Sequence, residues 1–307
     1  PANKTTFICI MILSMTNLNS LTKNIVILGA SGWIGKNFVS SLSELQNVNL
    51  FLYSFKQPKT IELKKELIYK TQPIQNINNL RLNKVDSLID LAFPTQDKID
   101  ILGNSNYLEQ VEELLELKKE FLIQFQPLNI LNISSGAVHW EGNKSNLYSK
   151  NKIKEEKLYI NHCKNTNTNL DIARIYGFLG SFYDYSKHYA FTSFIEQAKE
   201  NNQINIESSK LVYRSYILFE NLFSYYNYRT FQFTGSEINI FDACLDTFEI
   251  SDLANIVAKK FSSVVNRLDN PEGIDEYIGN NKYLLNFLKS KNLDWQITDK
   301  KILNLIQ

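Results

Sequence analysis

Short apolar blocks alternate with amphipathic stretches through the first half of the chain. Ile25 to Leu28 is a run of branched apolar residues, which is typical of a parallel strand buried on both faces. Comparable runs predict strands at residues 48–53, 87–93, 129–133 and 170–175. Apolar residues at helical spacing predict helices at residues 36–45, 107–125, 150–163, 191–201 and 250–261. This alternation predicts an α/β fold, a doubly wound parallel sheet with crossover helices.

Three glycines follow the first predicted strand at three-residue intervals. Gly29 permits a tight turn, Gly32 lets backbone N–H groups approach a phosphate, and Gly35 lets the next helix pack on the strand. The N-terminus of that helix then faces the anion. Strand, turn and helix together predict a seat for a dinucleotide pyrophosphate in a Rossmann-type sheet. A tight turn without a ligand is the simpler alternative.

Length and composition favour two domains. The chain has 307 residues, 44% of them hydrophobic, which suits about two domains. We assign residues 23–176 to the Rossmann domain. Residues 177–307 are assigned to a smaller mixed α/β substrate domain, with segments that return to the Rossmann core. Residues 1–22 are interpreted as an N-terminal extension with the natural start at Met15; a native extension packed on the surface is the alternative.

Charge and cysteine content exclude several classes of partner. A net charge of +1 provides no broad field for nucleic acid or an anionic membrane. The apolar segment at residues 7–13 is too short to cross a bilayer. The chain has 3 cysteines, widely spaced, which fits a reducing, cytoplasmic environment and predicts no disulfide framework and no metal site. His162 and His188 are interpreted as surface residues, and His139 as one that lines the pocket or lies near it.

Ser135, Tyr148 and Lys152 are the candidate catalytic residues. Tyr148 and Lys152 lie four residues apart at a predicted helix start, so they share one helical face. A nearby ammonium stabilises a phenolate, so Lys152 is expected to lower the pKa of Tyr148 towards the range useful for proton transfer. Ser135 follows a strand, and its hydroxyl is expected to orient the same substrate oxygen. A Tyr-x-x-x-Lys match also arises by chance in a lysine-rich chain.

Taken in order, these segments resemble the extended short-chain dehydrogenase/reductase superfamily, and within it the NAD(P)-dependent nucleotide-sugar epimerase/dehydratase family. The resemblance spans roughly residues 23 to 300. It rests on the glycine turn at residues 29–35, on Asp90-Leu-Ala92 beside the family's His-Leu-Ala-Ala, on Ser134-Ser-Gly-Ala-Val138, on the pair Tyr148 and Lys152, and on the segments Arg174 to Gly180 and Tyr213 to Ile217.

The resemblance implies a role for each matching residue. Lys152 would hold the nicotinamide ribose, and Arg214 would bind the sugar-nucleotide pyrophosphate, a task suited to a guanidinium fork. The implied substrate-binding residues are Ser135, Gly177 and Arg214. The implied cofactor-binding residues are Gly29, Ser31, Gly32, Trp33, Ile34, Gly35, Ser54, Lys56, Leu91, Ala92, Tyr148 and Lys152.

Several positions depart from the family pattern. Asp90 replaces the usual histidine, and Gly177 replaces the usual substrate-binding asparagine. His139-Trp140 stands where the family often has Tyr-Gly, which changes the expected shape of the sugar pocket. The dehydratases carry an acidic pair beside the serine position, whereas Gly136-Ala137 offers no carboxylate. Dehydration is therefore not expected.

The end of the second strand bears on the cofactor. A carboxylate there would bind the ribose 2′-hydroxyl of NAD(H) and repel a 2′-phosphate. The chain instead has Ser54 and Lys56, a hydrogen-bond donor and a cation, which favours NADP(H) over NAD(H). The simpler interpretation of Lys56 is a solvated turn lysine.

We therefore predict an oxidoreductase for a nucleotide-activated sugar, in first place a 4-keto-sugar reductase. The alternatives are a 4-epimerase with tightly bound NAD, and a cofactor-binding regulatory or structural relative without turnover. The family also implies a homodimer formed through the helices at residues 107–125 and 150–163, although their spacing would equally suit packing on the chain's own sheet.

Overall fold

A computed structural model describes residues 22–63, 67–139, 146–183, 189–267 and 271–306. The expectations for the extension up to residue 21, including Met15, and those for Trp140 and His188 lie outside these residues. The first half contains β1 (Lys23–Leu28), α1 (Trp33–Ser43), β2 (Val48–Ser54), β3 (Thr60–Glu62), β4 (Ile68–Lys70), β5 (Gln72–Pro73), β6 (Ser87–Asp90), α2 (Asp97–Leu102), α3 (Asn104–Phe125), β7 (Asn129–Ser135), α4 (Leu147–Lys164) and β8 (Asn169–Ile175). Short 3₁₀ helices span Ile74–Asn79 and Gly136–His139.

The second half mixes shorter strands with five described helices. Its elements are β9 (Gly177–Leu179), α5 (Ala190–Asn201), β10 (Gln203–Ile206), β11 (Leu211–Leu218), α6 (Phe219–Phe231), β12 (Ile238–Ala243), β13 (Asp246–Glu249), α7 (Ile250–Phe261), β14 (Val264–Arg267), β15 (Ile274–Tyr277), α8 (Lys282–Ser290) and α9 (Asp299–Leu305). In these described residues, no helix is long and apolar enough to cross a bilayer.

A seven-stranded parallel sheet forms the centre of the molecule, as the alternating pattern predicts. Its strand order is β12-β8-β7-β6-β1-β2-β5, and every described pairing in it is parallel. The order reverses between β1 and β6, because β2 lies on one side of β1 and β6 on the other. In sheets of this type, ligands bind at such a point, outside the carboxyl ends of the strands.

Apolar side chains cover both faces of this sheet. On one face, Phe38 of α1 meets Phe219 and Tyr226 of α6 edge to face, with ring centroids 5.2 and 5.4 Å apart. On the other face, Phe121 of α3 and Tyr159 of α4 are completely buried in a second cluster. The buried faces explain why the strands of the sheet have continuous apolar runs.

The chain after residue 177 builds a smaller mixed sheet and also returns to the central one. β11 pairs with β9 and β15 in parallel and with β13 antiparallel. β12 joins the central sheet beside β8, and α6 packs on the face next to α1. Within the described chain, Cys163 and Cys244 are buried free thiols.

Three sequence predictions need correction. The strand predicted over residues 87–93 ends at Asp90, because the carboxylate of Asp90 accepts the amide of Ala92 at 3.1 Å and turns the chain out of the sheet. The helix predicted from residue 150 begins at Leu147, because Asn146 and Ser149 form a reciprocal capping box. His162 is half-buried, and burial lowers its pKa.

The glycine turn gives a test of the fold. A Cβ at Gly35 would overlap the carbonyl oxygen of Gly29 and lie 2.7 Å from that of Ala30. Gly35→Ala should therefore lower the free energy of unfolding by about 1–3 kcal/mol, measured by urea denaturation. Gly32→Ala is the matched control, since its Cβ would meet only the Gly29 oxygen at 3.3 Å. Equal losses in the two variants would contradict this packing.

Candidate active site

The glycine turn has the geometry of an anion seat. Gly29 has a φ of +78°, and a Cβ there would lie 2.9 Å from the backbone of Leu91. The amides of Gly29 and Ala30 both donate to the carbonyl of Tyr53, at 2.9 and 3.0 Å. α1 starts after Gly32 with no side-chain cap and no acidic residue in its first turn. Its N-terminal dipole is thus available for an anion.

Trp33 connects this turn to the second half of the chain. Its indole N–H donates to the carbonyl of Ser181 at 2.9 Å, and Asn37 donates to the same oxygen at 2.6 Å. Its ring also meets Phe178 edge to face at 5.1 Å. Trp33, predicted as a cofactor ligand, therefore also holds residues 178–181 beside the turn. The other predicted residues of the turn, Ser31 and Ile34, are half-buried next to an exposed Gly32.

The two residues predicted after β2 have different environments. The Ser54 side chain is buried: its hydroxyl donates to the carbonyl of Gln57 and accepts from Thr71 at 2.7 Å. Its proton is thus committed within the chain. Lys56 is exposed, with its ammonium 5.7 Å from the centroid of the Phe55 ring. Of the two residues, Lys56 is therefore the one whose side chain is accessible to a ligand.

The residues after β6 link the glycine turn to the candidate catalytic tyrosine. Leu91, half-buried, lies against Gly29, and its amide donates to Leu28 at 3.0 Å. Ala92 is buried. Two residues further on, the ring of Phe93 is 6.0 Å from that of Tyr148 in an edge-to-face arrangement. One short segment, residues 91–93, therefore contacts both parts of the site.

Ser135 and Tyr148 come together as predicted from their order in the sequence. Ser135 ends β7, and Tyr148 occupies the first turn of α4, which the capping box of Asn146 holds in place. Burial raises the pKa of Tyr148 to about 12, although a hydrogen bond with Ser135 acts in the opposite direction. The phenol is therefore protonated at neutral pH.

Lys152 does not act on Tyr148 as expected from its spacing. Its ammonium donates to the carbonyl of Ile133 at 2.9 Å and forms an ion pair with Glu155. It also lies 4.5 Å from the centroid of the Phe93 ring. Because Glu155 neutralises this charge, the pKa of Tyr148 is raised by burial and not lowered by Lys152. The prediction of a depressed tyrosine pKa is wrong for the protein without ligands.

A buried charge cluster stands behind Lys152. The ammonium of Lys118, 1% exposed, lies 2.7 Å from a carboxylate oxygen of Asp90 and also pairs with Glu155. It donates in addition to the carbonyl of Ala92 at 2.6 Å. Burial opposes ionisation of Glu155, but Lys118 and Lys152 outweigh it and lower the pKa of that carboxyl. The Asp90 carboxylate also accepts from Tyr159 at 2.6 Å.

A second cluster of polar side chains lies near Gly136, the residue that follows Ser135. Asp242 accepts from Tyr176 at 3.1 Å and hydrogen bonds with His139 at 3.0 Å. The Tyr176 ring occupies the space where a side chain at Gly136 would be. This packing explains the absence of a carboxylate beside Ser135. His139, whose side chain is 49% exposed, thus lies at the rim of the site.

The two predicted substrate residues of the second half are held by their neighbours. Arg214 donates to the carbonyl of Asp275 at 2.9 Å and to its carboxylate at 2.6 Å. Gly177 pairs with Tyr216 between β9 and β11, and a Cβ at Gly177 would lie 2.6 Å from that ring. Gly177 can therefore offer only backbone atoms to a ligand.

Sequence reasoning missed several residues of the site, for identifiable reasons. Tyr277 approaches Ser135 from β15, with the two oxygens 3.2 Å apart, and no local motif marks it. The family pattern His-Leu-Ala-Ala has alanine at its fourth position, where this chain has Phe93 after Asp90-Leu-Ala92. This departure could have indicated that Phe93 belongs to the site. Lys118 and Glu155 lie in amphipathic helices, where a charged residue is usually on the solvent-exposed face. The sequence therefore does not distinguish them.

The fold is that of known nucleotide-sugar enzymes. RMD from Pseudomonas aeruginosa, solved with NADPH, is 16% identical, with 92% of this chain and 98% of that chain covered and a TM-score of 0.66. UDP-glucose 4-epimerase from Thermotoga maritima, solved with UDP-glucose, is 13% identical, with 92% and 97% covered and a TM-score of 0.69. dTDP-glucose 4,6-dehydratase from Bacillus anthracis, solved with NAD, is 12% identical, with 92% and 95% covered and a TM-score of 0.68.

These neighbours confirm the predicted fold class and the resemblance at the level of structure. The chain has the Rossmann-type fold of the NAD(P)-dependent nucleotide-sugar epimerases and dehydratases over 92% of its length. No protein-family model and no curated protein sequence matches it. At identities of 12–16%, these neighbours establish a shared architecture only. The reaction has to be inferred from the residues of the site.

The buried charge cluster gives a test of stability. Lys118→Met would leave Asp90 and Glu155 as buried carboxylates with too little positive charge, and should lower the free energy of unfolding by about 3–5 kcal/mol. The double variant Asp90→Asn/Lys118→Met removes one charge of each sign and should recover most of that loss. Urea denaturation of both variants measures the difference. A double variant as unstable as Lys118→Met would contradict the pairing.

Proposed function

We propose that the chain is an NAD(P)-dependent oxidoreductase for a nucleotide-activated sugar, and specifically a reductase of a 4-keto sugar. The proposal is supported by the arrangement of three segments. The glycine turn follows β1, Ser135 and Tyr148 lie next to each other at the end of β7, and residues 91–93 after β6 contact both the turn and Tyr148. All three lie at the carboxyl edge of one parallel sheet, where the strand order reverses.

The chain's own residues define how a cofactor would be held. The turn from Gly29 to Gly35 and the N-terminus of α1 fit a pyrophosphate. The segment of residues 91–93 lies between that seat and Tyr148, along the line that the nicotinamide half would follow. When bound, the nicotinamide supplies or accepts the hydride. Lys152 is placed beneath Phe93, so its contact with the ribose requires that ring to move aside.

A protonated Tyr148 is compatible with the proposed reduction. Its pKa of about 12 keeps the phenol protonated at neutral pH, so it is prepared to donate a proton to the oxygen of a ketone. A 4-epimerase begins in the opposite direction, because it first removes a proton from a sugar hydroxyl. Ser135, which lies next to Tyr148, would hold the substrate oxygen in reach of that proton.

The rest of the cleft suits a sugar nucleotide without dehydration. Gly136 is packed against Tyr176, so position 136 cannot provide the carboxylate that a dehydratase would use to eliminate water. Arg214 remains the proposed ligand of the substrate pyrophosphate, which would replace Asp275 as its partner. Solved relatives by structure hold such ligands: UDP-glucuronic acid 4-epimerase from Bacillus cereus binds UDP-glucuronic acid and NAD. We extend that substrate class to this chain.

We propose NADP(H) as the cofactor on the basis of Lys56. It is exposed just beyond β2, and no carboxylate lies near it in the segment of residues 54–57 to repel a 2′-phosphate. We also propose a homodimer through α3 and α4. The apolar side chains of Leu122, Ile123 and Leu158 line a groove between these two helices. A cytoplasmic location is proposed from the reduced thiols.

Tyr148→Phe tests the function. It removes only the phenol oxygen, so turnover of NADPH with a nucleotide 4-keto sugar, followed at 340 nm, should fall by about 10²-fold or more. NADPH affinity, measured by calorimetry, should change less than about twofold, because the glycine turn is untouched. Tyr283→Phe is the control, since its hydroxyl bonds Tyr225 away from Ser135 and Tyr148.

The outcomes separate the three candidate functions. Unchanged turnover in Tyr148→Phe would remove the proposed mechanism. Stoichiometric NAD retained by the wild-type protein after desalting would favour the 4-epimerase. Tight NADPH binding without turnover of any nucleotide sugar in a thermal-shift and activity screen would favour a regulatory or structural relative.

A further inference from the structure

The Ser135 hydroxyl has two hydrogen-bond contacts that the proposed function does not yet use. The backbone amide of Ala137 donates to Ser135 Oγ at 3.2 Å. The hydroxyl of Tyr277 lies 3.2 Å from the same oxygen, and either of the two hydroxyls can be the donor. Ser135 ends β7 and Tyr277 ends β15, so the second half of the chain contributes directly to the catalytic end of the site.

Neighbouring contacts fix where the Tyr277 hydroxyl lies. Its ring packs on that of Tyr176, with the two centroids 4.7 Å apart. Tyr176 is itself held in place, because its hydroxyl donates to Asp242 at 3.1 Å and its ring fills the space beside Gly136. Tyr277 therefore reaches Ser135 from a packed aromatic pair, which suits a role in orienting a neighbour.

The strand that carries Tyr277 also reaches the other end of the proposed substrate site. Tyr277 pairs in register with Arg214 of β11, and Asp275 binds the Arg214 guanidinium at 2.6 Å. Asp275 and Tyr277 are half-buried, whereas Glu276 between them is exposed, as expected for alternate residues on one face of a strand. One face of β15 thus supports both the serine proposed for the reacting oxygen and the arginine proposed for the pyrophosphate.

The hydrogen-bonding capacity of Ser135 limits what its proton can do. A hydroxyl has one proton to donate and two lone pairs that accept. The Ala137 amide occupies one lone pair. When Tyr277 donates to the other, the Ser135 oxygen is saturated as an acceptor, and its own proton is left for an acceptor on the substrate. The oxygen of a ketone is such an acceptor, because it has lone pairs and no proton.

Tyr277 is suited to be the donor of this pair. Burial raises the pKa of Tyr277 to about 12, so its phenol keeps its proton at neutral pH. A phenol is also more acidic than the hydroxyl of a serine, whose oxygen is the better acceptor of the two. The bond between them is therefore favoured in the direction from Tyr277 to Ser135.

We propose that Tyr277 is a positioning residue, which donates to Ser135 Oγ and thereby commits the Ser135 proton to the carbonyl oxygen of the substrate. This inference rests on the reductase function proposed above. Ser135 and the protonated Tyr148 then present two donors to one oxygen, and a ketone oxygen accepts both through its two lone pairs. Both bonds strengthen as negative charge develops on that oxygen, so the benefit falls on the chemical step.

Tyr277→Phe tests this role during turnover. The variant keeps the ring on Tyr176 and removes only the hydroxyl. With NADPH and a nucleotide 4-keto sugar that the wild-type protein reduces, kcat should fall about tenfold, because Ser135 loses the bond that orients its proton. NADPH affinity and the KM for the sugar should change less than about twofold. Tyr283→Phe is the matched control: its hydroxyl is also 3.2 Å from another hydroxyl, that of Tyr225, and kcat should stay unchanged.

A double-mutant cycle with Ser135→Ala separates positioning from any other role of Tyr277. Ser135→Ala alone should lower kcat by about 10²-fold, as the loss of a donor to a developing oxyanion does. In that background Tyr277→Phe should lower kcat by less than about twofold further, because Tyr277 acts only through Ser135. Equal losses in the two backgrounds, or an unchanged kcat in Tyr277→Phe alone, would overturn the positioning role.

A second measurement needs no cofactor or substrate. In protein labelled with ¹³Cζ-tyrosine, the resonance of Tyr277 should shift in Ser135→Ala and that of Tyr283 should not, because only Tyr277 contacts Ser135. A Tyr277 resonance that does not move would also overturn the proposal.

The same variants distinguish this inference from the function on which it rests. If Tyr148→Phe is inactive and Tyr277→Phe is as active as the wild-type protein, the reductase function stands without the positioning role. If Tyr148→Phe retains turnover, or the wild-type protein reduces no nucleotide 4-keto sugar, the function itself fails and the positioning role fails with it.

Discussion

The geometry of the site depends on the ion pairs that the buried ammonium of Lys118 forms. It binds Asp90, Glu155 and the carbonyl of Ala92 at once, with almost no exposure to water. Through Asp90 and Ala92 it fixes the point where the chain leaves β6. Through Glu155 it determines the partner of Lys152. Because isolated buried charges are costly, these groups are stable only together, and the segment of residues 91–93 is held by the same pairing.

That segment explains how two distant motifs form one site. Leu91 packs against Gly29, and Phe93 packs against Tyr148. The same ring lies over the ammonium of Lys152. In the protein without ligands, the lysine is therefore covered and neutralised, and Tyr148 is a protonated phenol next to Ser135. A protonated phenol in this place is compatible with the reductase proposed above, which needs a proton donor.

Local patterns were enough to predict most of the sheet, because strands buried on both faces have continuous apolar runs. The glycine turn was also predictable, from its spacing after β1. Gly35 packs on the carbonyls of Gly29 and Ala30 within the same turn, and Gly29 packs on the backbone of Leu91, just after β6. The pairing of Lys152 with Glu155 was not, since a lysine and a glutamate three residues apart usually form a solvated pair. Their burial depends on Lys118, which is far away in sequence.

Long-range contacts also explain why sequence reasoning missed Tyr277 and did not predict the partner of Arg214. Tyr277 reaches Ser135 across 142 positions of sequence, and Arg214 is held by Asp275 from a neighbouring strand. The fold itself does not choose between these chemistries. RMD, a 4-epimerase and a 4,6-dehydratase share it at 12–16% identity, so the reaction must be argued from Ser135, Tyr148 and their partners.

We propose that hydride moves from a nicotinamide to a sugar carbon beside Tyr148. The most direct measurement uses NADPH deuterated at C4 of the nicotinamide, in separate samples for each face, with a nucleotide 4-keto sugar as substrate. We predict that one of the two samples yields product with deuterium on C4 of the sugar, detected by NMR and mass spectrometry, with one NADP⁺ formed per product. Product formed without deuterium from either sample, or no oxidation of NADPH with any nucleotide 4-keto sugar, would contradict this hydride transfer.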